Sequence, residues 1–230
     1  MIDGIIFDKD GTLFDFRATW AEWSARLLTE LSNGDLDHAD RLAGAIGFDL
    51  TRRDFAADSP VIAGTPVEIA SLLISHLPGH RHETLVARMN LLAAEVPLVE
   101  AVPLRPLLID LRARGLKIGL VTNDAEAPAR AHLERSAVTD LFDFIAGCDS
   151  GHGAKPAPGQ LLAFCQHTGV SPGRVAMVGD SLHDLHAGHR AGMRRVGVLT
   201  GIALLPELEP HADAVLANIG GLPDWLDAQV

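Results

Sequence analysis

The chain has 230 residues, enough for one α/β domain or for one with a smaller insertion. Its 47% apolar and 21% charged residues are ordinary for a globular protein, and no apolar stretch approaches the ~20 residues that cross a bilayer. A formal net charge of −11 argues against nucleic acid and anionic membranes as partners, and it obliges any phosphate site to supply positive charge locally.

The N-terminus shows no basic segment followed by an apolar run, so no signal peptide is expected. Cys148 and Cys165 make no disulfide framework and read as reduced thiols, which points to the cytoplasm. The lysines are Lys9, Lys117 and Lys155, so each position carries information.

The first apolar run, Ile2 to Phe7, reads as a buried strand that ends in Asp8-Lys9-Asp10-Gly11-Thr12-Leu13. Residues at i and i+2 of a strand leave the backbone on the same side, so Asp8 and Asp10 stand together. Two adjacent carboxylates repel unless a cation lies between them. An isolated Asp-x-Asp would read as a solvated acidic turn; the strand before it and Gly-Thr-Leu after it argue otherwise. Gly11 permits a tight turn.

Thr19 to Leu31 reads as a helix, with Trp20, Trp23, Leu27, Leu28 and Leu31 at helical spacing and the two tryptophans as core residues. From Asp35 to about Pro97 no buried strand is expected. Helices are predicted over 37–46, 66–77 and 83–95, with a loop over 47–60 that carries Arg52, Arg53 and Asp54. This block reads as a helical insertion. Alternation then resumes. Strands are expected over 117–121, 142–146, 175–178, 195–199 and 214–216, with helices over 104–114, 126–136, 158–168 and 182–191. That order implies a doubly wound parallel sheet, in which ligands bind outside the carboxyl ends of the strands.

Four polar pieces fall at those ends: Asp8 with Asp10; Thr122 with Asn123; Lys155 in Gly153-Ala154-Lys155-Pro156; and Asp180 with Asp184 in Gly179-Asp180-Ser181-Leu182-His183-Asp184. A phosphomonoester hydrolase needs a nucleophile, a proton donor and positive charge around the phosphate oxygens. A divalent cation on Asp8 and Asp180 removes the repulsion between carboxylates and phosphate, and an all-oxygen ligand set suits Mg²⁺. Alone, Thr122 would be a strand-end hydroxyl, Lys155 a surface lysine, and Asp180 and Asp184 acids at a helix N-terminus. Together at strand ends they read as one site.

In order and context these pieces resemble the four motifs of the haloacid dehalogenase superfamily, over residues 1–15 and roughly 98–200. The resemblance implies a Rossmann-like α/β core (1–15 and 98–230) with an inserted α-helical cap (16–97), as in the branch of phosphoglycolate phosphatase and phosphoglucomutase. It implies Asp8 as nucleophile and metal ligand. Asp10 would be general acid, then base, and a further ligand through its backbone carbonyl. Thr122, Asn123 and Lys155 would bind phosphate, and Asp180 and Asp184 would complete the metal site. Dehalogenases proper lack the second acid, so Asp10 argues against that chemistry. Phosphonoacetaldehyde hydrolases use a cap lysine, and residues 16–97 contain none.

The expected function is a Mg²⁺-dependent cytoplasmic phosphatase, monomeric or homodimeric. Its substrate would be a small soluble phosphomonoester, with phosphoglycolate the one the branch suggests. A phosphomutase or a silent binding protein on the same fold are the alternatives. Three features rank lower. His183, His186 and His189 read as a polar helix face rather than a transition-metal site. One of Arg52 and Arg53 is a candidate contact for a second anionic group of the substrate. Cys148 reads as structural.

Overall fold

The computed structural model describes residues 1–228. Its strands are β1 (Gly4–Phe7), β2 (Phe48–Asp49), β3 (Asp54–Phe55), β4 (Lys117–Val121), β5 (Phe144–Ala146), β6 (Val175–Gly179), β7 (Arg194–Val198) and β8 (Ala214–Leu216). Six of them form one parallel sheet in the order β5-β4-β1-β6-β7-β8, as the alternating pattern predicts. The chain lays β4 and β5 on one side of β1, then returns to lay β6 to β8 on the other. β1 is therefore the point where strand order reverses, which is where such sheets open a crevice for ligands.

The helices are α1 (Phe16–Leu31), α2 (Leu36–Ala45), α3 (Pro66–Leu73), α4 (His82–Glu95), α5 (Leu104–Ala113), α6 (Glu126–Arg135), α7 (Gly159–Thr168), α8 (Leu182–Ala191), α9 (Leu205–Leu208) and α10 (Leu222–Asp227). Strand alternation divides the sheet's apolar residues between two faces. Ile5, Phe7, Ile118, Leu120, Ala176 and Val178 pack with α5, α6 and α10. Ile6, Val175 and Met177 pack with α7 and α8. Gly119 in β4 leaves room for the Phe164 ring of α7, which a Cβ there would overlap.

The segment between β1 and α5 has its own apolar cluster, built on Trp20, Trp23, Leu27, Leu42, Phe48 and Leu85. Trp20 and Trp23 are both buried and meet edge to face at 5.1 Å, in keeping with their reading as core residues. Local signals set the helix starts. Asp15 caps α1 by accepting from the Ala18 N–H at 2.7 Å, and Thr65 and Glu68 form a capping box on α3 with Pro66 at its first position. Where a loop is expected over 47–60, β2 and β3 make a two-residue antiparallel pair, too short for any alternation to announce. The chain leaves the sheet and re-enters it side by side: Asp15 N–H donates to Val99 O at 2.8 Å, and Ala101 N–H to Leu13 O at 2.9 Å.

Candidate active site

β1 delivers Asp8 to the carboxyl edge of the sheet, where its N–H donates to Val178 O of β6 at 2.8 Å. The turn after it closes through Gly11 (φ 78°), whose N–H donates to Phe14 O at 2.7 Å. A side chain would be strained at that φ and would strike the Asp180 carboxylate. Asp10 lines a small inner cavity, and its buried Oδ1 has no hydrogen-bond partner among the described residues.

Lys155 arrives from the loop before α7, and Asn123 holds it there. The Asn123 carboxamide accepts from Lys155 N–H at 2.8 Å, donates to Lys155 O at 2.9 Å, and donates to Ala63 O at 2.8 Å in the helical segment. Gln160 of α7 donates to Thr122 O at 2.9 Å, which fixes the end of β4. Both Thr122 and Asn123 line the inner cavity, but the carboxamide is engaged with Lys155 and Ala63. The buried Lys155 ammonium donates to Asp8 Oδ1 at 2.5 Å, Asp184 Oδ1 at 2.7 Å and Val121 O at 3.2 Å. Burial works against its charge, but Asp184 and Asp8 outweigh it and hold Lys155 above the usual lysine range.

Asp184 serves two purposes. Its Oδ2 accepts from Ser181 N–H at 3.1 Å and Ser181 Oγ at 2.7 Å, capping α8, while Oδ1 faces Lys155. Oxygens of Asp8, Asp180 and Asp184 lie within 4.8 Å of one another, and all three residues are buried. Burial pushes Asp8 up to about 7, with Lys155 opposing and Asp184 adding to the rise. Burial, then Asp8 and Asp184, raise Asp180 well above the carboxylate range. Three buried carboxylates beside one ammonium are short of positive charge, and Asp180 makes no ion pair among the described residues. A hard divalent cation fits that deficit and that all-oxygen donor set.

The inner cavity, about 40 Å³, is bounded by Asp8, Asp10, Thr122, Lys155, Asp180 and Trp20. A much larger one of about 1070 Å³ opens beside it between the sheet edge and the helical segment, sharing Lys155, Asp180, Ser181 and His183. An anionic group thus has a confined, polar seat and its substituent an outer, mainly apolar one, walled by Phe55, Ile62, Val67 and Leu72.

The model of the haloacid dehalogenase-like hydrolases matches residues 2–192. The chain belongs to that family. Among relatives of this haloacid dehalogenase-like hydrolase, the phosphoglycolate phosphatase of Rhodospirillum rubrum is 30% identical over 234 residues, covering 98% of this chain and 91% of that protein. A phosphatase of Mycobacterium tuberculosis is 30% identical over 195 residues, with 84% and 85% covered. Solved structures share the fold. The phosphatase from Thermococcus onnurineus superposes with a TM-score of 0.70 at 24% identity, covering 98% of each chain. The β-phosphoglucomutase from Clostridium difficile gives 0.68 at 20%, covering 99% of this chain and 96% of that one.

The lower-ranked residues separate. His183 lines both cavities, His186 meets His211 edge to face at 5.1 Å, and His189 borders a different hollow. Among the described residues the aspartates alone form a cluster with metal-ligand spacing. Arg53 pairs with Glu22 at 2.5 Å, and neither it nor Arg52 lines either cavity; the arginine on the outer wall is Arg17, itself paired with Asp54 at 2.9 Å. Burial pushes the Cys148 thiol up to about 12, with Asp149 and Asp124 adding to it, which suits a structural residue.

Two buried groups escaped the sequence reading. Lys9, between the two motif acids, is fully buried, and so is His132 on the inner face of α6. Lysine's scarcity was the one signal for the first. A histidine in register with Ala129 and Leu133 was the signal for the second.

Proposed function

We propose that this family member is a Mg²⁺-dependent phosphatase that hydrolyses a small phosphomonoester through an aspartyl phosphate on Asp8. The observation that carries the reading is the buried Asp8–Asp180–Asp184 cluster with Lys155 against it, on the wall of a cavity sized for one small anion. Asp8, the backbone carbonyl of Asp10, Asp180 and Asp184 would hold the cation, which supplies charge neutralisation when bound. Lys155 and the Thr122 hydroxyl hold phosphate oxygens. An Asp8 oxygen attacks phosphorus as the ester P–O bond breaks, and Asp10 gives its proton to the departing alkoxide. Asp10, now a carboxylate, takes a proton from the water that attacks the aspartyl phosphate. Inorganic phosphate leaves and both acids are restored.

In this reading residues 16–97 are a cap over a core of 1–15 and 98–230, and the outer cavity between them seats the alcohol part. The relatives' names support phosphoglycolate as substrate, with Arg17 the guanidinium on the cavity wall for its carboxylate. The enzyme works in the cytoplasm, as a monomer or homodimer, without nucleic acid or membrane; no helix among the described residues is long and apolar enough to cross one.

Turnover in ¹⁸O-labelled water tests the reaction. Label is expected in the released inorganic phosphate. An isomerised sugar phosphate without label would establish a mutase instead, in which the closed cap keeps water from the aspartyl phosphate. No turnover over a broad ester panel with Mg²⁺ present would establish a binding protein.

A second test concerns Gly201, in the loop after β7. A Cβ there would overlap the Asp180 carboxylate. Gly201→Ala is therefore expected to weaken Mg²⁺ binding by on the order of tenfold, read by titration calorimetry, since it displaces a ligand without removing one. Unchanged affinity would take Asp180 out of the metal site.

A further inference from the structure

Lys9 sits where the family reading gives no work to a side chain, yet it is fully buried, with its ammonium ringed by three acceptors. Asp10 Oδ2 lies at 2.7 Å, Asp124 Oδ2 at 2.9 Å and His132 Nδ1 at 3.1 Å, while the Trp20 ring of α1 faces it at 5.5 Å. The two carboxylates pair with its charge, and the imidazole accepts one of its protons. Burying a lysine ammonium is costly before pairing, and an apolar residue of similar size fills such a space with no such cost. Wall-filling therefore does not account for it.

The geometry has a consequence for Asp10. Its Oδ2 is tethered to Lys9, so the carboxyl cannot rotate freely. Its Oδ1 has no hydrogen-bond partner among the described residues, and Asp10 lines the inner cavity. The oxygen presented to a leaving group is selected by the tether on the other.

The chain of contacts continues. Lysine only donates, so His132 Nδ1 accepts and its proton is on Nε2, which donates to Ala93 O at 2.7 Å in the last turn of α4. Burial, then the Lys9 charge, push His132 down to about 4, so the imidazole is neutral and can accept. Arg135, one turn further along α6, donates to Val96 O at 2.8 Å and Ala94 O at 3.1 Å. The carboxyl end of α4 is thus seated on α6 beside the lysine.

We propose that Lys9 is a positioning residue for the general acid: held by Asp124 and His132, it fixes one oxygen of Asp10 so that the other faces the leaving group. The proposal rests on the reading of Asp10 as general acid, and the test separates the two. Lys9→Met keeps the bulk and removes the charge. Steady-state rates are measured with Mg²⁺ on p-nitrophenyl phosphate, whose phenolate departs with little help, and on an alkyl phosphate, whose alkoxide needs a proton. The ratio of the two kcat/KM values, which report the step that breaks the ester bond and not the later hydrolysis common to both esters, is expected to rise on the order of 100-fold in favour of the nitrophenyl ester. Lys9→Met/Asp124→Asn, which leaves one fewer buried charge unpaired, should fold where the single variant does not and show the same selectivity. Asp10→Asn is the reference. If it lowers kcat/KM equally for both substrates, the general-acid reading falls and the proposal with it. If it is selective and the Lys9 variants are not, the proposal alone is overturned.

Discussion

Asp8→Asn is expected to lower kcat by more than about 1000-fold while leaving the protein folded. The carboxamide keeps the shape of the side chain but cannot attack phosphorus. The backbone contact that seats residue 8, from its N–H to Val178 O, does not involve the side chain. The substitution also relieves the crowding of three buried carboxyl groups, and Lys155 retains Asp184 as a partner. Thermal stability should therefore hold or rise, and the melting temperature measured beside kcat separates lost chemistry from lost structure. A folded variant that keeps more than about a thousandth of the rate would exclude the covalent route.

Removal of metal should have an effect of the same order. Asp8, Asp180 and Asp184 crowd their oxygens within 4.8 Å, with one ammonium to offset them. Without a cation this carboxylate set repels a phosphate dianion. A chelator is expected to abolish turnover and Mg²⁺ to restore it. Ca²⁺ should bind but restore little, because its longer and looser coordination misplaces Asp8 relative to phosphorus. Binding to the folded state alone should also raise stability, by about 2.7 kcal/mol when Mg²⁺ is at 100 times its Kd. Full activity in chelator would return the site to metal-free chemistry despite Asp10.

What could be read from the chain follows from where its signals are local. Lys117–Val121 and Leu182–Ala191 fall where the pattern puts them, because each is a complete apolar or amphipathic run with a clear stop. Asp8, Thr122 and Asp180 were legible for the same reason: each follows directly on a buried strand. Lys155 needed the others to be noticed. The helices Leu205–Leu208 and Leu222–Asp227 were missed, being too short to show a period. Lys9 and His132 failed differently. They meet across 123 positions, and His132 reaches Ala93 across 39, so only the closed tertiary structure brings them together. Asn123 was found but its carboxamide is turned to Lys155, a partner that no pattern within β4 announces.

The place of β1 has a consequence for how the protein is made. It is the first strand of this sheet to be synthesised and sits within it between β4 and β6, with Ile5 aligned to Ile118 of β4 and Ala176 of β6. At roughly 5–20 residues per second, the ribosome needs on the order of 10–30 s to deliver the second of those neighbours. Until then Ile5, Ile6 and Phe7 have at most one side of their sheet, although α1 to α4 can already gather their own apolar cluster. The segment that bears Asp8 is therefore the one left waiting longest, open to chaperones and to the edges of other unfinished chains.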